Sequence, residues 1–354
     1  MHCVEASLAL YAALGDEQTV AQELSLPFIA IGAPLTQPWT HRTAEALNWG
    51  LLAFVQLHAG QIQNSIRSGR RALALSQESK NVWSQVGSAI SLAHGLLDGG
   101  EYEEALVLTQ QAIALARTLP LMVNFPHLLT VLGSIYQTLQ QWEEARKSLE
   151  EAEAVAEQLD LDLGLLRVPA LTRLCMHHAG AGEWEAAYRY ALKAIALRKS
   201  RDVVLVMWDF YFHYEMEALL HGGDEHQARE VVHWLGERLE HYPRFRVPYL
   251  RSLAVLAAWE RQSEQAIGHL QEAAQVATDL GLSGERWQIQ AALASLYEAI
   301  GQQEQARTAF GEAAAIIQGL AEGIGDERLR THFLAAPQIQ QLVRHAQREA
   351  SHPS

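Results

Sequence analysis

Apolar positions along this chain recur at i, i+3, i+4 and i+7, the period of an α-helix with one buried face. The run Ala105, Leu108, Ala112, Leu115 and Ala116 shows it. Each such stripe is opened by the same short phrase: a helix-ending residue, usually Gly, then four mostly polar residues, then a small one. It reads Gly60-Gln-Ile-Gln-Asn-Ser65, Gly100-Glu-Tyr-Glu-Glu-Ala105, Gln140-Gln-Trp-Glu-Glu-Ala145 and Gly182-Glu-Trp-Glu-Ala-Ala187. It returns as Gly223-Asp-Glu-His-Gln-Ala228, Arg261-Gln-Ser-Glu-Gln-Ala266 and Gly301-Gln-Gln-Glu-Gln-Ala306, and Gly15-Asp-Glu-Gln-Thr-Val20 is a weaker first copy. From one phrase to the next the spacings are 45, 40, 40, 42, 41, 38 and 40 residues. Glycine tolerates the left-handed backbone that ends a helix. Acidic residues suit the first turn of the following helix, where the dipole is positive. The small residue lets two helices approach closely.

A self-similar period of this length predicts a solenoid of stacked units. The chain therefore reads as all-α, with about eight antiparallel helix pairs and no sheet. The expected spans are 2–13 with 17–25, 38–58 with 61–78, 81–98 with 101–118, and 122–139 with 141–158. They continue as 163–180 with 183–200, 202–221 with 224–241, 245–260 with 262–280, and 283–299 with 302–321. Two short helices, 326–334 and 337–349, finish the chain. Between Leu26 and Trp39, Pro27, Gly32, Pro34 and Pro38 forbid a continuing helix. The organisation is thus a weak first pair at 1–25, a loop at 26–39, a repeat array at 40–321 and closing helices with a tail at 322–354. The first helix carries Val4, Leu8, Tyr11 and Leu14 with no polar cap before it, so the N-terminal face is expected to pack on an upstream domain or another chain, the alternative being that the Leu26–Trp39 loop folds back over it.

Around the turn, Gly133, Tyr136, Ala145, Leu149 and Ala152 form one set and Leu293, Ala294, Tyr297, Ala306, Phe310 and Ala313 another. This order of Leu, small residue, Tyr, turn, Ala, large apolar residue and Ala resembles the tetratricopeptide-repeat signature. The period near 40 departs from the 34 residues of the standard repeat. The long period and the tail Asp326-Glu-Arg-Leu-Arg-Thr-His-Phe-Leu-Ala-Ala-Pro337 resemble the MalT-like repeat region of bacterial STAND-type NTPase and transcriptional regulators. The resemblance implies a right-handed superhelix in which Ala105, Ala145, Ala187, Ala228, Ala266 and Ala306 are buried within their pairs. It also implies a signalling role, with a protein or peptide partner or an upstream NTPase domain. On that geometry the first helix of each pair lines the concave groove. Phe54, His58, His94, His127, Thr130 and Ser134 then face it, followed by Gln137, Met176, His213, Glu217 and Arg251.

Composition narrows the function. The chain has 354 residues, is 49% hydrophobic and carries a net charge of −14. That balance opposes a nucleic-acid footprint. No apolar run is long enough to span a membrane, and no signal peptide is visible at Met1-His-Cys-Val-Glu5, so a cytoplasmic location is expected. The two cysteines, Cys3 and Cys175, make no CxxC spacing. No P-loop, HExxH, GxSxG or Rossmann glycine pattern is present, and no cofactor is expected. Among the 16 histidines, the adjacent His177 and His178 point about 100° apart, and His213 and His221 share a face only loosely. Metal ligands from one helix stand at i and i+4, so no metal site is expected.

Two features stand out against the repeat. Met207-Trp-Asp-Phe-Tyr-Phe-His-Tyr-Glu-Met-Glu217 is the richest in aromatics and reads as thick core or as a groove anchor. Within it, Glu215 holds the slot that sister repeats fill with Leu92, Leu132, Leu174, Leu253 and Leu293. A core carboxylate needs a partner, and Arg173 or His178 of the neighbouring repeat is within reach. An acid/base site around His213, Glu215 and Glu217 is the enzymatic reading, but residues two apart on a helix do not share a face. The expectation is therefore a non-catalytic interaction or regulatory module. The alternative is a small-molecule sensor, with an enclosed pocket near Phe54, Trp83 or Trp208.

Overall fold

The computed structural model describes residues 41–119, 124–159, 164–200, 210–239 and 242–350. The expected first helix pair, its exposed apolar face, the 26–39 loop and Trp208 lie outside the described residues. Among the described residues every regular element is an α-helix and none is a strand.

Seven antiparallel pairs follow one another: α1 (His41–His58) with α2 (Ile62–Ser79), α3 (Val82–Gly99) with α4 (Tyr102–Ala116), and α5 (Phe125–Thr138) with α6 (Trp142–Gln158). Next come α7 (Gly164–Gly180) with α8 (Trp184–Ser200), α9 (His213–His221) with α10 (Glu225–Leu239), α11 (Pro243–Trp259) with α12 (Ser263–Asp279), and α13 (Ser283–Ala299) with α14 (Gln303–Glu322). Two closing helices, α15 (Glu327–Ala335) and α16 (Pro337–Ala350), end the array. Each helix packs on its partner and on the next pair.

The turn phrase does what its chemistry requires. Gly60, Gly100, Gly182, Gly223 and Gly301 all have φ between 74° and 85°. The two phrases that open without glycine keep the same backbone: Gln140 has φ 64° and Arg261 has φ 60°. After each of these residues an amide reaches back five positions, as from Gln61 to Gln56 O at 2.7 Å and from Gln141 to Tyr136 O at 2.8 Å. That bond satisfies a carbonyl left over at the helix end. The alanines of the phrase, Ala105, Ala145, Ala187, Ala228, Ala266 and Ala306, are all buried. Gly133 is required by contact, since a Cβ there would meet Leu149 Cγ at 2.6 Å. Tyr136 and Tyr297 are half-buried, and each hydroxyl accepts from a glutamine on the preceding pair, Gln110 and Gln271.

One predicted helix is shorter than its period implies. Of the 202–221 span, the described part begins at Phe210 and is helical from His213; Phe210 and Tyr211 belong to no regular element and Phe212 is in a turn. The reason is packing at the superhelix axis. The Phe210 and Tyr211 rings receive the guanidinium groups of Arg244 and Arg173 at 3.9 and 3.6 Å, and all three aromatic residues are buried. Phe210, Tyr211 and Phe212 of the aromatic run are core, while Met207–Asp209 lie outside the described residues.

The superhelix coils onto itself. Helix α1 touches α11 and α3 touches α13, so a turn takes about five pairs. A Cβ on Gly60 would meet Leu280 Cδ2 at 2.3 Å, and one on Gly100 would meet Leu320 at 3.1 Å. Glu103 accepts from the Gly325 and Asp326 amides at 2.6 and 3.1 Å, joining the second described pair to the closing segment. Among the described residues no helix is long and apolar enough to cross a membrane.

Candidate functional site

The first helix of each pair faces the superhelix axis, and the coil is tight enough to bury most of what it carries there. Phe54, His58, His94, His127, Thr130, Ser134, Gln137, Met176, His213 and Arg251 are all buried, and Glu217 is half-buried. The expected solvated groove is therefore corrected over most of its length. First helices five pairs apart meet across the axis.

Most of the polar groups so buried are satisfied locally, His213 being the exception. Thr130 Oγ1 donates to Pro126 O and Ser134 Oγ to Thr130 O, each one helical turn back. Gln137 Nε2 donates to the Arg173 carbonyl at 2.8 Å and its Oε1 accepts from Arg173 Nη1 at 3.4 Å. His58 Nδ1 lies 2.9 Å from Phe54 O, in the tautomer that donates. His94 and His127 meet Nε2 to Nε2 at 3.2 Å, which requires one ring to donate and the other to accept. Burial keeps these rings neutral: it lowers His58 to about 4 and His127 to about 3, and takes His94 well below the ordinary range.

Charge at the axis is arranged in two ways. Glu215, fully buried, accepts from both Arg198 nitrogens at 2.8 and 2.9 Å and from Thr172 Oγ1 at 2.6 Å. Its partner is thus Arg198, on the second helix of the preceding pair, rather than Arg173 or His178. His178 turns outward instead, with Nδ1 2.6 Å from Glu183. Arg244, also fully buried, bridges Asp98 and Glu285, with Nε 2.6 Å from Asp98 Oδ2. Burial works against its charge, and the two carboxylates more than offset that, holding the guanidinium above its ordinary range. This clasp ties three pairs together across the axis. Arg173 and Arg251 differ: they lie against glutamine oxygens and tyrosines rather than carboxylates.

Space remains at one end of the axis. A cavity of about 370 Å³ opens between the first helices α7, α9 and α13 and the closing helix α16. Its wall holds four glutamines, Gln140, Gln288, Gln338 and Gln341, with Ser295, Glu298 and His345. Between them stand Trp142, Met176, Tyr214, Trp287, Phe310 and Leu342. Glutamine offers the same donor and acceptor as a peptide unit, so this wall can pair with an extended backbone while the rings take side chains. Helix α16 is held against α14 by His345, whose ring stacks on Phe310 with centroids 5.0 Å apart.

Of the residues the sequence placed in the groove, only Met176 borders this cavity. Its other walls come from neighbouring positions on the first helices, from Gln140 and Trp142 at the α5–α6 turn, from Phe310 of α14, and from α16, which carries no repeat signal. The richness of α16 in glutamine, at Gln338, Gln340, Gln341 and Gln347, was the available clue. Among the described residues no group of three or more His, Cys, Asp or Glu is placed to hold a metal ion.

No family model matches the chain, and no curated protein matches it in sequence. Solved structures do share the fold. A Rap protein complexed with competence and sporulation factor superposes with a TM-score of 0.68 at 12% identity, over 89% of this chain and 88% of its own. Aspartyl phosphate phosphatase F from Bacillus subtilis gives a TM-score of 0.56 at 11% identity, over 88% and 83% of the two chains.

Proposed function

We propose that this chain is a non-catalytic regulatory module that binds a short extended peptide segment of a partner protein in the cavity between its first helices and α16. The wall carries the reading: four glutamines alternate with aromatic and aliphatic side chains in about 370 Å³, a size within the range of ligand pockets. Amide groups that fix a backbone and rings that fill with side chains are what an extended peptide needs. A protein of the same fold, a Rap protein, has been solved in complex with competence and sporulation factor, and that likeness supports an interaction role for this architecture. The regulatory setting that fits best is a sensor region of, or a partner to, a bacterial STAND-type signalling protein.

The test is selection from a random heptapeptide display library on the immobilised full chain, followed by anisotropy titration of enriched peptides. Ala291 borders the cavity and is half-buried, so Ala291→Trp plugs it from a wall that has room. Enriched peptides should bind the wild type and lose affinity on the plugged variant by at least ~30-fold, the scale of losing a central anchor. No enrichment over denatured protein, or equal binding to Ala291→Trp, would refute the reading.

A further inference from the structure

Four arginines are buried among the described residues: Arg173, Arg198, Arg244 and Arg251. Two follow the rule that a buried cation sits against a carboxylate, namely Arg198 on Glu215 and Arg244 on Asp98 and Glu285. The other two do not. Arg173, 6% exposed, reaches only the Gln137 amide oxygen at 3.4 Å and lies over the Tyr211 ring. Arg251, 7% exposed, pairs with no carboxylate: it reaches the Gln288 amide oxygen at 3.3 Å and hydrogen-bonds the Tyr214 hydroxyl, with its guanidinium 5.9 Å from the Tyr214 ring centroid. Amide oxygens and π faces attract a guanidinium but do not neutralise it.

Both cations act on one neighbour. His213 is 3% exposed, and neither ring nitrogen makes a hydrogen bond. Burial first, then Arg251 and Arg173, hold its ring well below the ordinary histidine range. A neutral imidazole offers one donor, so this corner presents two guanidinium groups and an unused N–H. The half-buried Glu217 is the carboxylate nearest in effect to Arg251, yet it makes no ion pair with it, and burial holds its carboxyl above the usual range. The corner also communicates with open space: Gln288 and Tyr214, the two groups Arg251 touches, line the 370 Å³ cavity.

We infer that Arg251, with Arg173 and His213 behind it, forms an anion-binding subsite directly beneath the Gln288 and Tyr214 wall of the cavity, and that the ligand presents a carboxylate to it. A guanidinium is a planar fork that takes a carboxylate through two parallel bonds. The inference rests on the peptide reading above for the rest of the ligand, whose carboxylate is then a chain terminus or an acidic side chain. In a chain of net charge −14, two buried guanidinium groups without a paired carboxylate are a local exception. It carries a stability signature too. A buried cation without a counter-ion destabilises the empty protein, so replacing it with an apolar side chain of similar length should raise stability while abolishing anion recognition.

Thermal unfolding of the full chain, wild type and Arg251→Met, tests this at constant ionic strength set with chloride. Three probes are used: glutarate, acetylated tetrapeptides built from Ala, Leu, Phe and Gln with a free C-terminus, and the same peptides amidated. We expect ligand-free Arg251→Met to melt at or above the wild-type Tm. We also expect the free-acid peptides to raise the wild-type Tm with concentration, the amidated ones to do so far less, and Arg251→Met to weaken the free-acid peptides by at least ~30-fold. If glutarate alone raises the wild-type Tm and does not act on Arg251→Met, the anion subsite stands and the peptide reading fails. If free-acid and amidated peptides act alike on both proteins, the peptide reading stands and the subsite is refuted. A ligand-free Arg251→Met that melts below the wild type marks Arg251 as structural and overturns the inference.

Discussion

Single residues show where the repeat pattern predicts well and where it misleads. Gln137 sits at a groove-facing position, and pattern alone gives it to solvent. The fold buries it and gives both ends of its amide to Arg173. Gln137→Ala should therefore destabilise by about 1–2 kcal/mol, because a buried carbonyl and a guanidinium each lose a partner; a urea midpoint unchanged at constant m-value would contradict this. Conversely, Arg261 is exposed and holds a left-handed φ of 60° without needing its side chain. Arg261→Gly should stabilise by roughly 0.5–1 kcal/mol by removing that strain, read from the same midpoint. The axial histidines set the pH response. His58 and His127 have pKa values lowered to about 4 and about 3 from 6.5, so below pH 6.5 the unfolded chain takes protons that the folded one refuses. Their contribution is fully present above pH 6.5 and is lost as pH falls towards the folded values, at up to about 1.4 kcal/mol per pH unit for each ring. Denaturant midpoints from pH 7 to 4.5 should fall accordingly, and His127→Phe should flatten the slope; a flat profile in the wild type would contradict the buried neutral pair.

Helices were the most legible level, because each reports its own period, cap and stop. The phrase at Gly182-Glu-Trp-Glu-Ala-Ala187, for example, contains a left-handed terminator, acidic first-turn residues and a buried alanine, and α8 begins at Trp184. The exception is α9. The helical period runs back through the aromatic segment, but local propensity cannot register that Phe210 and Tyr211 are needed as flat faces for Arg244 and Arg173. The same blindness affected Glu215, which breaks the leucine register visibly in sequence. Its partner, Arg198, lies 17 residues upstream on the second helix of the previous pair, where nothing in the pattern marks it. Closing helix α16 was predicted as a helix, yet its role as one wall of the cavity follows from a contact with α13 and α14 that no repeat encodes.

At the scale of the molecule, the decisive fact is that about five pairs complete a turn, so chain segments far apart in sequence become neighbours. This closure turned an expected open groove into an axis packed over most of its described length, with a cavity beside α16, and a short-range pattern carries no information about it. The Asp98–Arg244–Glu285 clasp is its electrostatic signature, joining residues 146 positions apart. Arg244→Met should destabilise by about 3–5 kcal/mol by stranding two carboxylates near the axis. Adding Asp98→Asn and Glu285→Gln should recover much of that loss; no recovery would mean the clasp is not what couples the pairs. The central claim concerns what the remaining space binds. Photo-crosslinking tests it most directly, using an enriched peptide that carries a benzophenone side chain and locating the adducts by mass spectrometry. The account predicts adducts on Met176, Trp287, Gln341 and their neighbours in α7, α13 and α16. Adducts confined to the outer, second helices of the pairs would contradict it.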